Sequence, residues 1–251
     1  MSAWLRPLSA ALDAAPEPVT FFFRDDDAGW DDGRLMTLLD VFARRAVPID
    51  LAAIPLDTTP KLAAALLSRA ERTQPLGFHQ HGYAHVNHET EGRRCEFGPA
   101  RPHDAQLRDI RAGRRRLAEL LGPALQPIFT PPWNRCTEAT GACLVELGIP
   151  VLSCDRSATV LDLAGLRELP VQVDWFAKRK GRLLGRHAVG EQLGARAGEP
   201  APLGVMLHHA EMDTEDMTAM ADLLDLVCAH DRARCLSMAA VLQETAVEYA
   251  S

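Results

Sequence analysis

The chain has 251 residues, 47% of them hydrophobic and 24% charged, with a formal net charge of -7. This supports one sizeable core or two small ones and an ordinary globular surface. The acidic balance argues against a nucleic acid or an anionic membrane as partner, since both call for a basic surface.

The first eighteen residues contain no apolar run long enough for a signal core, because Asp13 and Glu17 interrupt them. Nothing later approaches the ~20 apolar residues of a membrane span. A cytoplasmic location is therefore expected. Residues 19–24 (VTFFFR) form an apolar run that ends abruptly in acids and read as a strand. Apolar residues recur at helical spacing over 32–45, where Asp31 or Asp32 can cap the start. IDLAAIP (49–55) is a second strand, a helix over 60–72 opens with Pro60, and LGFHQ (76–80) is a third strand. Residues 86–103 are polar and read as a long loop, the kind that often serves function.

A helix over 104–121 follows, and the one basic run singled out, Arg114 to Arg116, reads as its solvated face. PIFT (127–130) is strand-like, residues 137–147 form a short helix and PVLSC (150–154) another strand. The stretch 156–200 is less regular, with VQVDWF (171–176) alternating like a strand and 188–197 helical. LGVMLH (203–208), a helix over 214–229, a brief segment at Cys235-Leu236 and a terminal helix to about Tyr249 complete the chain. The six cysteines form no CxxC pair, so free thiols are expected and a cysteine zinc site is not. Repeated β-α units over this length predict an α/β protein: a single-domain, distorted (β/α) barrel of about seven parallel strands over residues 1–251, with a doubly wound open sheet as the alternative. Either fold gathers functional groups at the C-terminal ends of its strands.

The motifs fall there. Arg24-Asp25-Asp26-Asp27-Ala28-Gly29 follows the first strand, and three adjacent carboxylates need a cation or shared protons. His79-Gln80-His81-Gly82-Tyr83-Ala84-His85 follows the third. On a helical turn the spacing of His81 and His85 places both imidazoles on one face, able to share a metal. Thr130-Pro131-Pro132-Trp133-Asn134 is a stiff non-helical segment with an aromatic suited to a pocket wall. Asp174-Trp175 puts an acid beside an aromatic. His208-His209 ends another apolar strand, and an imidazole titrates where a general acid is useful. One carboxylate and two imidazoles leave open positions on a metal, as catalytic sites do.

The order of these motifs resembles the polysaccharide deacetylase superfamily, the NodB-homology domain of carbohydrate esterase family 4. In that family a strand-terminal Asp-Asp supplies a base and then a metal ligand, His-Ser/Thr-x-x-His supplies two more ligands, and Arg-x-Pro-Tyr, Asp/Trp and Leu-His motifs follow. Here His81 to His85 matches the second motif with Gly82 where Ser/Thr is usual, and Thr130 to Trp133 resembles the third. Leu207-His208 resembles the last, and Asp174-Trp175 the fourth, with Asp155 a rival. The resemblance spans residues 19–210 and implies a metal-dependent hydrolase that removes an N-acetyl or other N-acyl group from a glycan or small molecule. It implies Asp26 as base, Asp27, His81 and His85 as ligands of one divalent ion, His208 as acid, and Pro132, Trp133, Asp174 and Trp175 on the substrate. Zinc is the first expectation; cobalt, nickel, iron or manganese could use the same donors. Asp25 is the alternative register. His79, His88 and His209 are candidates for hydrogen bonds that orient the ligands. The family arginine that orients the base is Thr130 here, and Arg24 or Arg135 could replace it in space. The competing readings are a non-catalytic glycan- or metal-binding relative and a two-metal phosphoesterase.

Overall fold

Strands and helices alternate along the computed structural model, which describes residues 2–72 and 75–248. The elements are α1 (Arg6–Ala14), β1 (Val19–Ala28), α2 (Asp32–Ala43), β2 (Ile49–Ala53), α3 (Pro60–Arg72), β3 (Leu76–His81), α4 (His103–Leu121), β4 (Leu125–Thr130), α5 (Glu138–Glu146) and β5 (Val151–Leu152). There follow β6 (Arg167–Glu168), β7 (Val173–Asp174), β8 (Lys178–Arg179), β9 (Arg182–Leu183), α6 (Arg186–Ala197), β10 (Leu203–His208), α7 (Thr214–Ala229), β11 (Ala233–Cys235) and α8 (Met238–Glu248).

The sheet runs β6-β5-β4-β3-β2-β1-β10-β7, all parallel, with β11 added beside β1. It curls into a distorted half-barrel, as the β-α alternation predicts. Its outer face packs on helices through a core that includes Phe21, Phe23, Phe42, Leu193 and Leu224. Its inner face is filled at one end by Phe22, Ile128, Val151 and Met206, closed from below by Met238 and Val241 of α8. Asp50 anchors that helix: its carboxylate accepts the Met238 N–H at 2.8 Å. Burial pushes the Asp50 carboxyl up to about 7.

Several expected boundaries move. β1 continues through the three aspartates instead of stopping at Arg24, while the strands expected over 150–154 and 171–176 shrink to two residues each. β7 is an edge strand, and β5 lies one strand in from the other edge, where its outer neighbour β6 has only two residues, so little pairing is available to either. α1 was not anticipated, and Tyr249, the expected end of the last helix, lies outside the described residues. The Arg114–Arg116 run is not a uniformly solvated face: Arg114 donates to the Gln126 carbonyl and Arg116 to those of Pro55 and Thr58, fastening α4 to the sheet. A second basic run, overlooked in the sequence, forms the β8–β9 hairpin. No described helix is long and apolar enough to cross a membrane.

Candidate metal centre

Successive residues on a regular strand face opposite sides of the sheet, so Asp26 and Asp27 would normally diverge. β1 avoids this with a register shift against β2 between Asp25 and Ala28, where Asp27 takes a φ of +67°. A bulge of this kind re-aims a side chain. Asp26 faces the barrel interior with Arg24, and Asp27 turns towards the histidines. Asp25 points to the other face, where the His209 backbone and ring hold it. Asp27 is thus the aspartate of the three that meets the two histidines.

His81 and His85 do meet, but not on a helical turn. His81 ends β3, and His85 follows a loop in which Gly82 has a φ of +55° and His85 one of +56°. Buried Glu96, reaching in from the long loop, fixes that turn by accepting the N–H groups of Tyr83 and Ala84. This explains Gly82: a Cβ there would lie 2.2 Å from a Glu96 carboxylate oxygen and 2.5 Å from Pro132. Gly82→Ala should cost at least about 2 kcal/mol, combining left-handed strain with overpacking. Denaturant unfolding checks this, and a variant as stable as the parent would show that the turn is slack.

The donor atoms converge. His81 Nε2 and His85 Nε2 each lie 3.2 Å from Asp27 Oδ1. Tetrahedral bonds of ~2.0–2.1 Å to one ion would separate donors by about 3.3 Å, close to these two distances, and all three donor atoms lie within 4.8 Å of one another. Among the described residues this is the one group of three or more such side chains able to share an ion. Burial raises the Asp27 pKa, but the two imidazoles outweigh it and hold the carboxyl well below the usual carboxylate range. Burial lowers the His81 pKa, yet the Asp27 hydrogen bond and the charges of Asp26 and Asp27 raise it overall. The Thr130 carbonyl accepts from His81 Nδ1 at 3.1 Å, which directs Nε2 at the site.

Asp26 has a partner the resemblance left open. Arg24 Nε donates to Asp26 Oδ1 at 2.8 Å and Nη2 to Oδ2 at 3.0 Å, a bidentate pair in the barrel interior. Arg24 is itself fixed by the Ser153 carbonyl and hydroxyl and by Asn134 Oδ1. Arg135 instead donates to the Arg94 carbonyl. Trp133 and Asn134 adopt left-handed φ values of 56° and 55°, turning the indole towards His85 and the amide towards Arg24.

His208 ends β10, in register with Asp26 on β1. Its Nδ1 is buried without a protein partner. Asp174 lies near enough that the His208 charge offsets part of its burial-driven rise in pKa. Pro132 is buried beside Gly82, and the Trp133 ring lies 4.5 Å from that of His85. Trp30, missed in the sequence, lies 4.7 Å away on the same histidine, with its indole N–H on Asp57. Its only signal was an aromatic just beyond the aspartate run. Ser153 and Glu96 carried no signal at all, and Asn134 only its place at the end of the Thr130–Asn134 segment.

Trp175 is not on the site, contrary to expectation. It directly follows Asp174, the last residue of β7, and turns to the sheet's other face. There it packs on Trp4 at 5.9 Å, lies under the Arg186 guanidinium and donates to Asp216. His79 is buried against the Thr130 hydroxyl and kept neutral by burial and by Arg24. His88 is exposed.

His209 also lies outside the metal cluster, on the sheet's other face. Its Nδ1 meets Asp25 at 2.7 Å and its Nε2 the Trp30 carbonyl at 2.6 Å, so both nitrogens face acceptors and the ring is an imidazolium. Burial lowers its pKa, but Asp25 and the carbonyl win and push it up to about 9. A folded pKa above the unfolded value of ~6.5 means this stabilisation is complete below that value. It is lost as pH rises through about 9. The loss should reach about 3 kcal/mol at ~1.36 kcal/mol per unit. Melting temperatures across this range should fall for the parent and stay flatter for His209→Gln; equal slopes would assign the titration elsewhere.

No family model matches the sequence, and no curated protein matches it significantly. The fold, however, matches solved structures over most of the chain. A Mycobacterium smegmatis structure assigned to the polysaccharide deacetylases superposes with a TM-score of 0.69 at 14% identity, covering 94% of this chain and 92% of that one. A family 4 acetyl xylan esterase from Clostridium thermocellum, in complex with a cobalt ion, gives 0.60 at 11% identity, covering 90% and 92%. A family 4 pseudoenzyme from Bacillus anthracis gives 0.58 at 14% identity, covering 90% and 66%.

Proposed function

We propose that this protein is a metal-dependent deacetylase that hydrolyses an N-acyl amide, with an N-acetylated sugar as the substrate class. The observation that carries the reading is the meeting of Asp27, His81 and His85 beside the Arg24-bound Asp26. Asp27 Oδ1, His81 Nε2 and His85 Nε2 would hold the ion, with zinc the best match to two imidazoles and a carboxylate. A bound divalent ion supplies a Lewis acid for the acyl carbonyl and acidifies water at neutral pH.

The chain's own groups supply the proton transfers. Asp26 takes the proton of the attacking water. Arg24 occupies one acceptor position on each Asp26 oxygen, leaving lone pairs free for that proton and fixing the carboxylate's plane. His208, at the neighbouring strand end, delivers a proton to the leaving nitrogen. Trp30 and Trp133 flank His85 and offer apolar surface to a sugar face. Arg24 thus performs, from β1, the orienting task that the resemblance assigns to the position of Thr130.

The reading is tested by acetate release from a panel of N-acetylated sugars, using protein purified without a histidine tag. Release should stop on chelation and return with zinc; release that survives metal removal contradicts it. A second reading, binding without turnover, draws on the pseudoenzyme among the structural neighbours. It predicts metal uptake with no release from any sugar. A two-metal phosphoesterase is disfavoured, since the described residues contain a single candidate cluster.

A further inference from the structure

Three residues beyond Asp174 the chain rises into the β8–β9 hairpin, whose base is closed by Leu184 N–H on the Ala177 carbonyl. That base is tied to the catalytic rim: the Ala177 N–H donates to the Asp174 carbonyl and the Phe176 N–H to the Asp174 carboxylate. Lys180 and Gly181 form the turn with φ values of 51° and 78°, as a two-residue hairpin turn requires. Lys178, Arg179, Lys180 and Arg182 are all exposed, and no acidic group among the described residues pairs with any of them. This is an isolated cationic projection on a chain of net charge -7.

The register sharpens the point. Arg179 and Arg182 are direct cross-strand partners, so their side chains share one face of the ribbon. Like charges placed directly opposite destabilise a pair of strands, and a two-stranded ribbon has little stability to spare. No acidic side chain among the described residues offsets this repulsion. A ligand dianion between the two guanidiniums would, because each presents a planar fork matched to phosphate oxygens. A carboxylate would neutralise only one of them. An anionic membrane fits less well, since the acidic remainder of the protein would be repelled and Leu183 is the hairpin's single exposed apolar residue.

We propose that the Arg179–Arg182 pair is a binding site for a phosphate or diphosphate group carried by the substrate, so that the acylated sugar is presented as a phosphate ester. The kinetic part of this proposal rests on the deacetylase reading; the binding part does not. Calorimetric titration with inorganic pyrophosphate should show binding that weakens at least tenfold in Arg179→Gln/Arg182→Gln. It should be unchanged in Arg108→Gln/Arg115→Gln, which neutralises two exposed arginines of α4. Pyrophosphate should also raise the melting temperature of the parent but not of the hairpin variant.

With N-acetylhexosamine 1-phosphate, the hairpin variant should raise KM about tenfold with little change in kcat, and it should leave hydrolysis of the neutral sugar unchanged. Equal pyrophosphate affinity in parent and hairpin variant overturns the proposal. So does hairpin-dependent sedimentation with phosphatidylglycerol vesicles in the absence of pyrophosphate binding. If the parent hydrolyses neither sugar, the deacetylase reading fails, and the titration still decides the hairpin's role.

Discussion

His81→Ala should remove the bound metal and the hydrolytic activity together. The substitution takes one of three donors from the site, and the other nearby histidines do not replace it: His79 is committed to Thr130, His209 lies across the sheet on Asp25, and His208 is outside the group of donors that lie within 4.8 Å of one another. Metal per chain should drop from one to near zero. Acetate release should fall by at least about 10^3-fold, the scale on which removing a group that stabilises developing charge is felt. The fold should survive, because Asp27 keeps His85 as a partner and the outer core is untouched. His88→Ala, at an exposed histidine of the same motif, should leave both readouts unchanged. Metal analysis beside an acetate assay settles the matter, and retention of metal by His81→Ala would move the site elsewhere.

Arg24→Ala should be the most damaging single change in the barrel interior. It leaves the Asp26 carboxylate buried without its cation, and it orphans the acceptors of Ser153 and Asn134. Removing one partner from such a pair costs about 3–5 kcal/mol, so this variant should unfold at markedly lower denaturant. Because it can fail to fold, Arg24→Lys is the informative companion. Lysine keeps the charge but loses the planar fork. It should fold, retain metal, and lose about 10^2-fold in kcat with KM little changed, since a mis-set base affects the chemical step. An Arg24→Lys protein with full kcat would remove Arg24 from the account of the base.

The barrel and the meeting of strand ends were legible because both depend on patterns that survive in one dimension. The apolar runs mark strands, and Asp, His and His follow three of them. What was lost depends on local departures from regular geometry. Adjacent aspartates on a plain strand would face apart, and only the bulge at Asp27 unites them. The His81–His85 spacing pointed to a shared ion through helical periodicity, yet a glycine turn held by Glu96 brings the rings together. Glu96 itself lies in a polar loop where nothing distinguishes it from a solvated residue. Trp175 was misread for the opposite reason: simple alternation, applied to Asp174-Trp175, places only one of the two inside. Arg24 was a candidate among two, and its pairing could be decided only by where Asn134 and Ser153 close the barrel around it.

The claim on which everything else depends is that a carboxylate from β1 and two imidazoles from the β3 end share one ion. X-ray absorption at the zinc edge of the metal-loaded protein tests it directly. The account predicts imidazole scattering from two histidines with first-neighbour nitrogen and oxygen at ~2.0–2.1 Å and no sulfur. A sulfur neighbour at ~2.3 Å, or a spectrum unchanged by Asp27→Ala and His81→Ala, would contradict it.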